Sequence, residues 1–205
     1  KETALGWATF LKDYLPENAA NKLYALIDAV PYDDHMIHGD YHTKNLELQN
    51  DEVLIIDMDT LAVGYPIFEL GSIYNSFVGF SEVDHDVILR FQGFDYETGY
   101  RFWRRALAAY LGTGNEKKLK AVEDKARVIG YMRLIRRSIR RRGLENEMDR
   151  REIAHWTEEL LALLDSVDSL LFTKNEIEVE ATDANLPAVQ AFIEQHLIEN
   201  DCPLK

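Results

Sequence analysis

A chain of 205 residues with 46% hydrophobic and 29% charged side chains can bury about 70% of the surface it exposes when unfolded, which excludes a disordered polypeptide. Its 23 Lys and Arg against 36 Asp and Glu leave a net charge of −13, so neither nucleic acid nor an anionic membrane is expected as a partner through bulk attraction. The single cysteine, Cys202, excludes an internal disulfide, and no run approaches the roughly 20 apolar residues of a membrane span, so the expected setting is cytoplasmic.

Ala4, Trp7, Phe10, Leu11 and Tyr14 fall on one helical stripe within residues 2–14, and Ala19, Leu23, Leu26 and Ile27 repeat the spacing within 18–29. Two short helices are predicted first. His35 to Gly39 is brief and strand-like. Two alternating apolar runs, 46–48 and 53–56, flank Asn50-Asp51, whose turn chemistry predicts a β-hairpin. After Pro66 the pattern is helical over 67–78, 83–92, 97–111, 117–142 and 149–172, with Gly112, Gly114 and Gly143 placed as helix stops. From Asn175 the composition changes. Residues 176–181 alternate like a strand and 186–198 read as an amphipathic helix, which is too little to bury both faces of either. The expected fold class is α+β, mostly α, with a first domain over 1–172 and the beginning of a second, truncated domain over 175–205. The abrupt ends and the initial Lys1 lead us to expect a piece of a longer polypeptide.

The chemistry concentrates in His38-Gly39-Asp40-Tyr41-His42-Thr43-Lys44-Asn45, the hairpin, and Ile55-Ile56-Asp57-Met58-Asp59. A loop carboxylate and amide five residues apart, with another carboxylate at the end of the next apolar strand, can converge on one point. Hard oxygen donors of this kind suit Mg²⁺, which completes its shell with substrate phosphates. The carboxylate left over, Asp40, could orient or deprotonate an attacking hydroxyl. Asp59, two residues beyond Asp57, reads equally as an outer acid or an exposed turn residue.

This order of His-Gly-Asp, four residues, Asn, hairpin and Ile-Asp resembles the catalytic and metal-binding loops of the aminoglycoside phosphotransferase and choline kinase family. These proteins are small-molecule relatives of the protein kinases. Gly64-Tyr65-Pro66 followed by Phe68-Glu69-Leu70-Gly71 resembles the family's next segment, with Glu69 in the place of an acid that braces the catalytic loop. The resemblance implies a protein-kinase-like C-terminal lobe over residues 1–172. It further implies ATP and Mg²⁺ as cofactors, Asp40 as the catalytic carboxylate, His38 and Glu69 as supporting residues, and Asn45 and Asp57 as ligands of the nucleotide-bound metal. The implied activity is phosphoryl transfer to a hydroxyl of a small molecule. No phosphate-covering glycine loop or strand lysine is found among the 205 residues, and Gly112-Thr113-Gly114 reads as a helix stop. The fragment alone is therefore expected to be inactive. The tail from Ile177 resembles the first strand and helix of the anti-sigma-factor serine kinase type of ATPase, which implies a signalling partner through that C-terminal domain.

Two other readings stand beside this one. His38, Asp40, His42 and Asp57 could hold zinc in a metal-dependent hydrolase, and the chain could be a non-catalytic regulatory module. The six arginines of residues 133–142 are expected to form a solvated face paired with the protein's own carboxylates, opposite Met132, Ile135 and Ile139. Docking of an acidic or phosphorylated partner is the alternative. Trp103 and Trp156 are expected to pack.

Overall fold

The second leading stripe folds as predicted, and the first is a helix that stops at Leu11, leaving Tyr14 beyond it and exposed. Helix α1 (Glu2–Leu11) buries Ala4, Ala8 and Leu11, and α2 (Glu17–Asp28), entered through Pro16, buries Ala19, Ala20, Leu23, Leu26 and Ile27. The computed structural model describes residues 1–174. Strand β1 (Met36–Ile37), within the segment expected to be strand-like, pairs antiparallel with β4 (Ala62–Val63), a partner the sequence does not announce. Strands β2 (Leu46–Gln49) and β3 (Glu52–Ile55) form the predicted hairpin, Leu46 opposite Ile55 and Gln49 opposite Glu52. Asn50 and Asp51 both take positive φ, at 52° and 64°, the geometry a tight two-residue hairpin loop requires.

Five helices follow. They are α3 (Ile67–Phe77), α4 (Asp86–Gln92), α5 (Tyr96–Leu111), α6 (Glu116–Arg142) and α7 (Glu147–Ser166). Side-chain caps start the last three. Asp95 accepts the Thr98 N–H, Asn115 that of Lys118, and Asn146 that of Met148. Gly112, at φ 66°, ends α5, and Gly143, at φ 72°, ends α6. The expectation of a helix to residue 172 is corrected: α7 stops at Ser166, and the following residues cross the core as an irregular strap that buries Val167 and Leu170. Apolar spacing persists there because the strap lies on the core, and periodicity alone cannot tell that from another helical turn.

Helix α6 is the central beam, contacting α1, α3, α5 and α7. Its approach to α3 depends on glycine. A Cβ on Gly71 would lie 2.7 Å from Ile129 Cγ2 and 3.1 Å from the Ala126 carbonyl, while Asn75 Nδ2 donates to the Gly130 carbonyl at 3.0 Å. Both tryptophans pack as expected and satisfy their indoles: Trp103 donates to Glu123 at 2.8 Å, and Trp156 to the Gly79 carbonyl at 3.0 Å. The strap is clasped to the loop before α3 by Tyr65, whose hydroxyl donates to the Phe172 carbonyl at 2.8 Å and accepts its N–H at 2.9 Å. Residues 1–174 are thus mostly helical with two small antiparallel ladders. Among them no helix is long and apolar enough to cross a membrane. The strand and helix expected within 175–205 lie outside the described residues.

Candidate active site

The loop between β1 and β2 is held from three directions. Gly39 sits at φ 78°, which a side-chain-bearing residue adopts only under strain. This conformation turns its N–H to Glu69 Oε2 at 2.8 Å and its carbonyl to Ser72 Oγ at 2.8 Å and Arg133 Nη1 at 2.7 Å. Thr60 Oγ1 donates to the His38 carbonyl at 2.5 Å. Helices α3 and α6 and the β3–β4 segment therefore all grip the two residues before Asp40.

His38 is buried and uses both ring nitrogens. Nδ1 accepts the Asp40 N–H at 3.3 Å, which assigns the proton to Nε2, and Nε2 lies 3.0 Å from the Ile56 carbonyl. The Ile56 N–H donates to the Asn45 carbonyl at 2.9 Å. One peptide thereby joins the loop to the end of the hairpin, with Asp57 next along the chain. Asp57 stands at φ 62°, a left-handed conformation that Asp tolerates better than most residues, and its exposed carboxylate has no ion pair or hydrogen bond among the described residues.

Asn45 is buried, and its Nδ2 donates to the Asp40 carbonyl at 2.9 Å. With the amide nitrogen committed, the Oδ1 lone pairs are free of any protein donor among the described residues. Asp40 and Asn45 are thus in direct contact, while Asp57 is tied to them through the Ile56 backbone and not by its own side chain. Asp59 is exposed, on the turn after Asp57. The donor set of Asn45 Oδ1 and the Asp57 carboxylate is all hard oxygen and unspent, which fits Mg²⁺. Glu69 stands well placed under the loop. Burial raises its carboxyl above the usual range, against the downward pull of the Gly39 N–H and of His38 and Arg133.

The four-residue zinc arrangement is not assembled. His38 would have to give up one of its two hydrogen bonds to ligate, and His42 Nε2 lies 3.6 Å from Asp40 Oδ2 with its ring edge against Phe91. Among the described residues the side chains with metal-ligand spacing are Asp33, Asp34 and His35.

The arginine run meets the expectation of a solvated face only in its last turn, where Arg140, Arg141 and Arg142 are exposed. Arg133 is turned inward to Gly39 and Ser72, and Arg142 pairs with the buried Asp149 and Glu152 at 2.6 and 2.9 Å. Arg136 lies over Trp7 and Phe10, and Arg137 over Phe80. The exposure of Arg140 and Arg141 and the pairing of Arg142 with the protein's own acids follow the expected pattern, whereas Arg133, Arg136 and Arg137 are partly buried because α6 is packed on several sides up to Ser138. Arg133 and Ser72 are the supporting residues that sequence reasoning missed. A signal existed: Arg133 falls four residues after Ile129 and three after Gly130, on the stripe that faces α3.

The Asp40 side chain is 49% exposed and opens on a cleft of about 340 Å³ between α3, α4 and α6. Its walls include His42, Ser76, Phe91, Arg133 and Arg137, but neither Asn45 nor Asp57. Asp40 thus has its backbone carbonyl held by Asn45 and its side chain on a ligand-sized cleft.

Compared with known proteins, residues 4–106 match the model of the phosphotransferase enzyme family. No curated protein and no solved structure gave a match. The matched span takes in the whole framework from His38 through Asn45 and Asp57 to Glu69, and half of the chain. The chain belongs to the phosphotransferase enzyme family.

Proposed function

We propose that residues 1–174 are the protein-kinase-like C-terminal lobe of an ATP-dependent phosphotransferase whose acceptor is a hydroxyl of a small molecule. The observation that carries this reading is the half-exposed Asp40 carboxylate, whose own backbone is pinned by Asn45 and His38 while its side chain faces the cleft. A catalytic base must be immobile and reachable together. In the reaction the acceptor oxygen attacks the γ-phosphorus, the bond from that phosphorus to the bridging oxygen breaks, and ADP leaves with the electron pair. The hydroxyl proton passes to Asp40. Asn45 Oδ1 and Asp57 would hold Mg²⁺, which when bound neutralises charge on the phosphates. His38 and Glu69 act through the loop, fixing the position of Asp40 and touching no substrate.

The hairpin supports a lobe that works with further protein around it. Leu48 and Val53 on β2 and β3 are 71% and 65% exposed, an apolar face that small sheets ordinarily cover. On this reading the 205 residues alone turn over poorly. Asp40→Asn in the natural polypeptide is expected to lower Mg²⁺-dependent phosphoryl transfer from ATP by about 10²–10⁴-fold, with nucleotide affinity little changed. Turnover equal to the parent's would remove Asp40 from the reaction, and with it this function.

A further inference from the structure

The cleft beside Asp40 carries the opposite charge to the molecule. Three guanidinium groups line it, from Arg133, Arg137 and Arg142, and Asp40 is the one carboxylate among the lining residues. Two of the three are already spent. Arg133 donates to the Gly39 carbonyl and to Ser72, and Arg142 is paired with Asp149 and Glu152. Arg137 has no hydrogen bond and no ion pair among the described residues. It is half-buried on α6, its guanidinium 4.9 Å from the Phe80 ring centre, which holds the flat group against the cleft wall.

A guanidinium kept from water without an anion is costly, and its proton affinity is lowered by burial and by Arg141, Arg142 and Arg133 nearby, with Asp40 as its opposing charge. A cationic acceptor would meet this wall with no acid to receive it except the carboxylate that its hydroxyl requires. An oxyanion would instead supply the planar partner that the arginine fork matches. The volume admits a molecule of a few carbons.

We infer that the acceptor is itself anionic: a small polyol or hydroxy acid whose carboxylate or phosphate is bound by Arg137 while its hydroxyl lies at Asp40. The inference rests on the phosphotransferase reading for the hydroxyl, but the anion site is testable without ATP. Calorimetric titration of the full chain would compare sn-glycerol 3-phosphate and D-glycerate with neutral glycerol and cationic choline. We expect one or both anions to bind at least tenfold more tightly than glycerol or choline, and the better of the two identifies phosphate or carboxylate as the group recognised. Arg137→Gln should weaken anion binding about tenfold or more, and Arg137→Lys should restore part of it by keeping the charge without the fork. Should Arg137→Gln not fold, the Lys variant and the anion-to-choline ratio of the parent decide. Choline binding as tightly as the anions, no binding of either anion, or an affinity unmoved in both variants would overturn the inference. Because these titrations contain no nucleotide, their failure is separate from a failure of Asp40→Asn to stop transfer.

Discussion

Glu69 shows how one side chain can tie a helix to a loop. From the first turn of α3 it receives the Gly39 N–H, and the same carboxylate feels burial strongly enough that its pKa rises. The sign of the consequence follows from linkage. A carboxyl whose folded pKa lies above its unfolded one disfavours the ionised form in the native state, so its stabilising contribution is full below the unfolded value near 4.5 and is lost as pH rises through the folded value. Glu69→Gln keeps the carbonyl acceptor for Gly39 and removes the titration. The stability of the parent relative to Glu69→Gln should therefore decline across that interval, measured by urea unfolding at a series of pH values. A flat difference would mean that Glu69 is no more desolvated in the fold than in the unfolded chain. His38, Asp40, Asn45 and Asp57 stand out in the sequence by residue type and spacing, because loop chemistry is written locally, and the structure joins the first three by hydrogen bonds. Arg133 and Ser72 do not stand out in this way, since their partner, the Gly39 carbonyl, is a backbone atom 94 and 33 residues away.

At the scale of elements, the site is as good as the contact between α3 and α6, which deliver Glu69, Ser72 and Arg133 to the same loop. That contact has no room for a methyl at Gly71, where a Cβ would fall 2.7 Å from Ile129 Cγ2. Gly71→Ala should destabilise the fold by about 1–3 kcal/mol through overpacking. A loss in chemical denaturation with no change in helix content by circular dichroism would show the two helices forced apart, and an unchanged midpoint would show that they yield freely. Helix and hairpin positions were readable in advance because periodicity, caps and the Asn50-Asp51 turn act within a few residues. Of the β1–β4 ladder only β1 was readable: Ala62 and Val63 are too short a run to carry a period, and β4 exists only because β1 is beside it.

Across the whole molecule, the strap after α7 closes the core by bringing Leu170, 1% exposed, onto it and clasping Phe172 to Tyr65. Leu170→Ala should cost about 2–5 kcal/mol if the strap belongs to the same cooperative unit, seen as a coincident shift of fluorescence and circular dichroism transitions. A shift in one probe alone would make the strap a separately melting segment. The net charge of −13 teaches a related lesson, because it says nothing of the cationic cleft at Asp40. By itself the sequence determined the helices, the hairpin and the residue types of the loop that carries Asp40, since each depends on neighbours along the chain. Only the tertiary structure decided that Arg133 turns inward to Gly39, that Arg137 lines the cleft with Asp40 and has no ion pair among the described residues, and that the zinc arrangement is not assembled. Those outcomes depend on which distant backbone atoms and side chains arrive first at the same donors and acceptors, and separation along the chain carries no record of that competition.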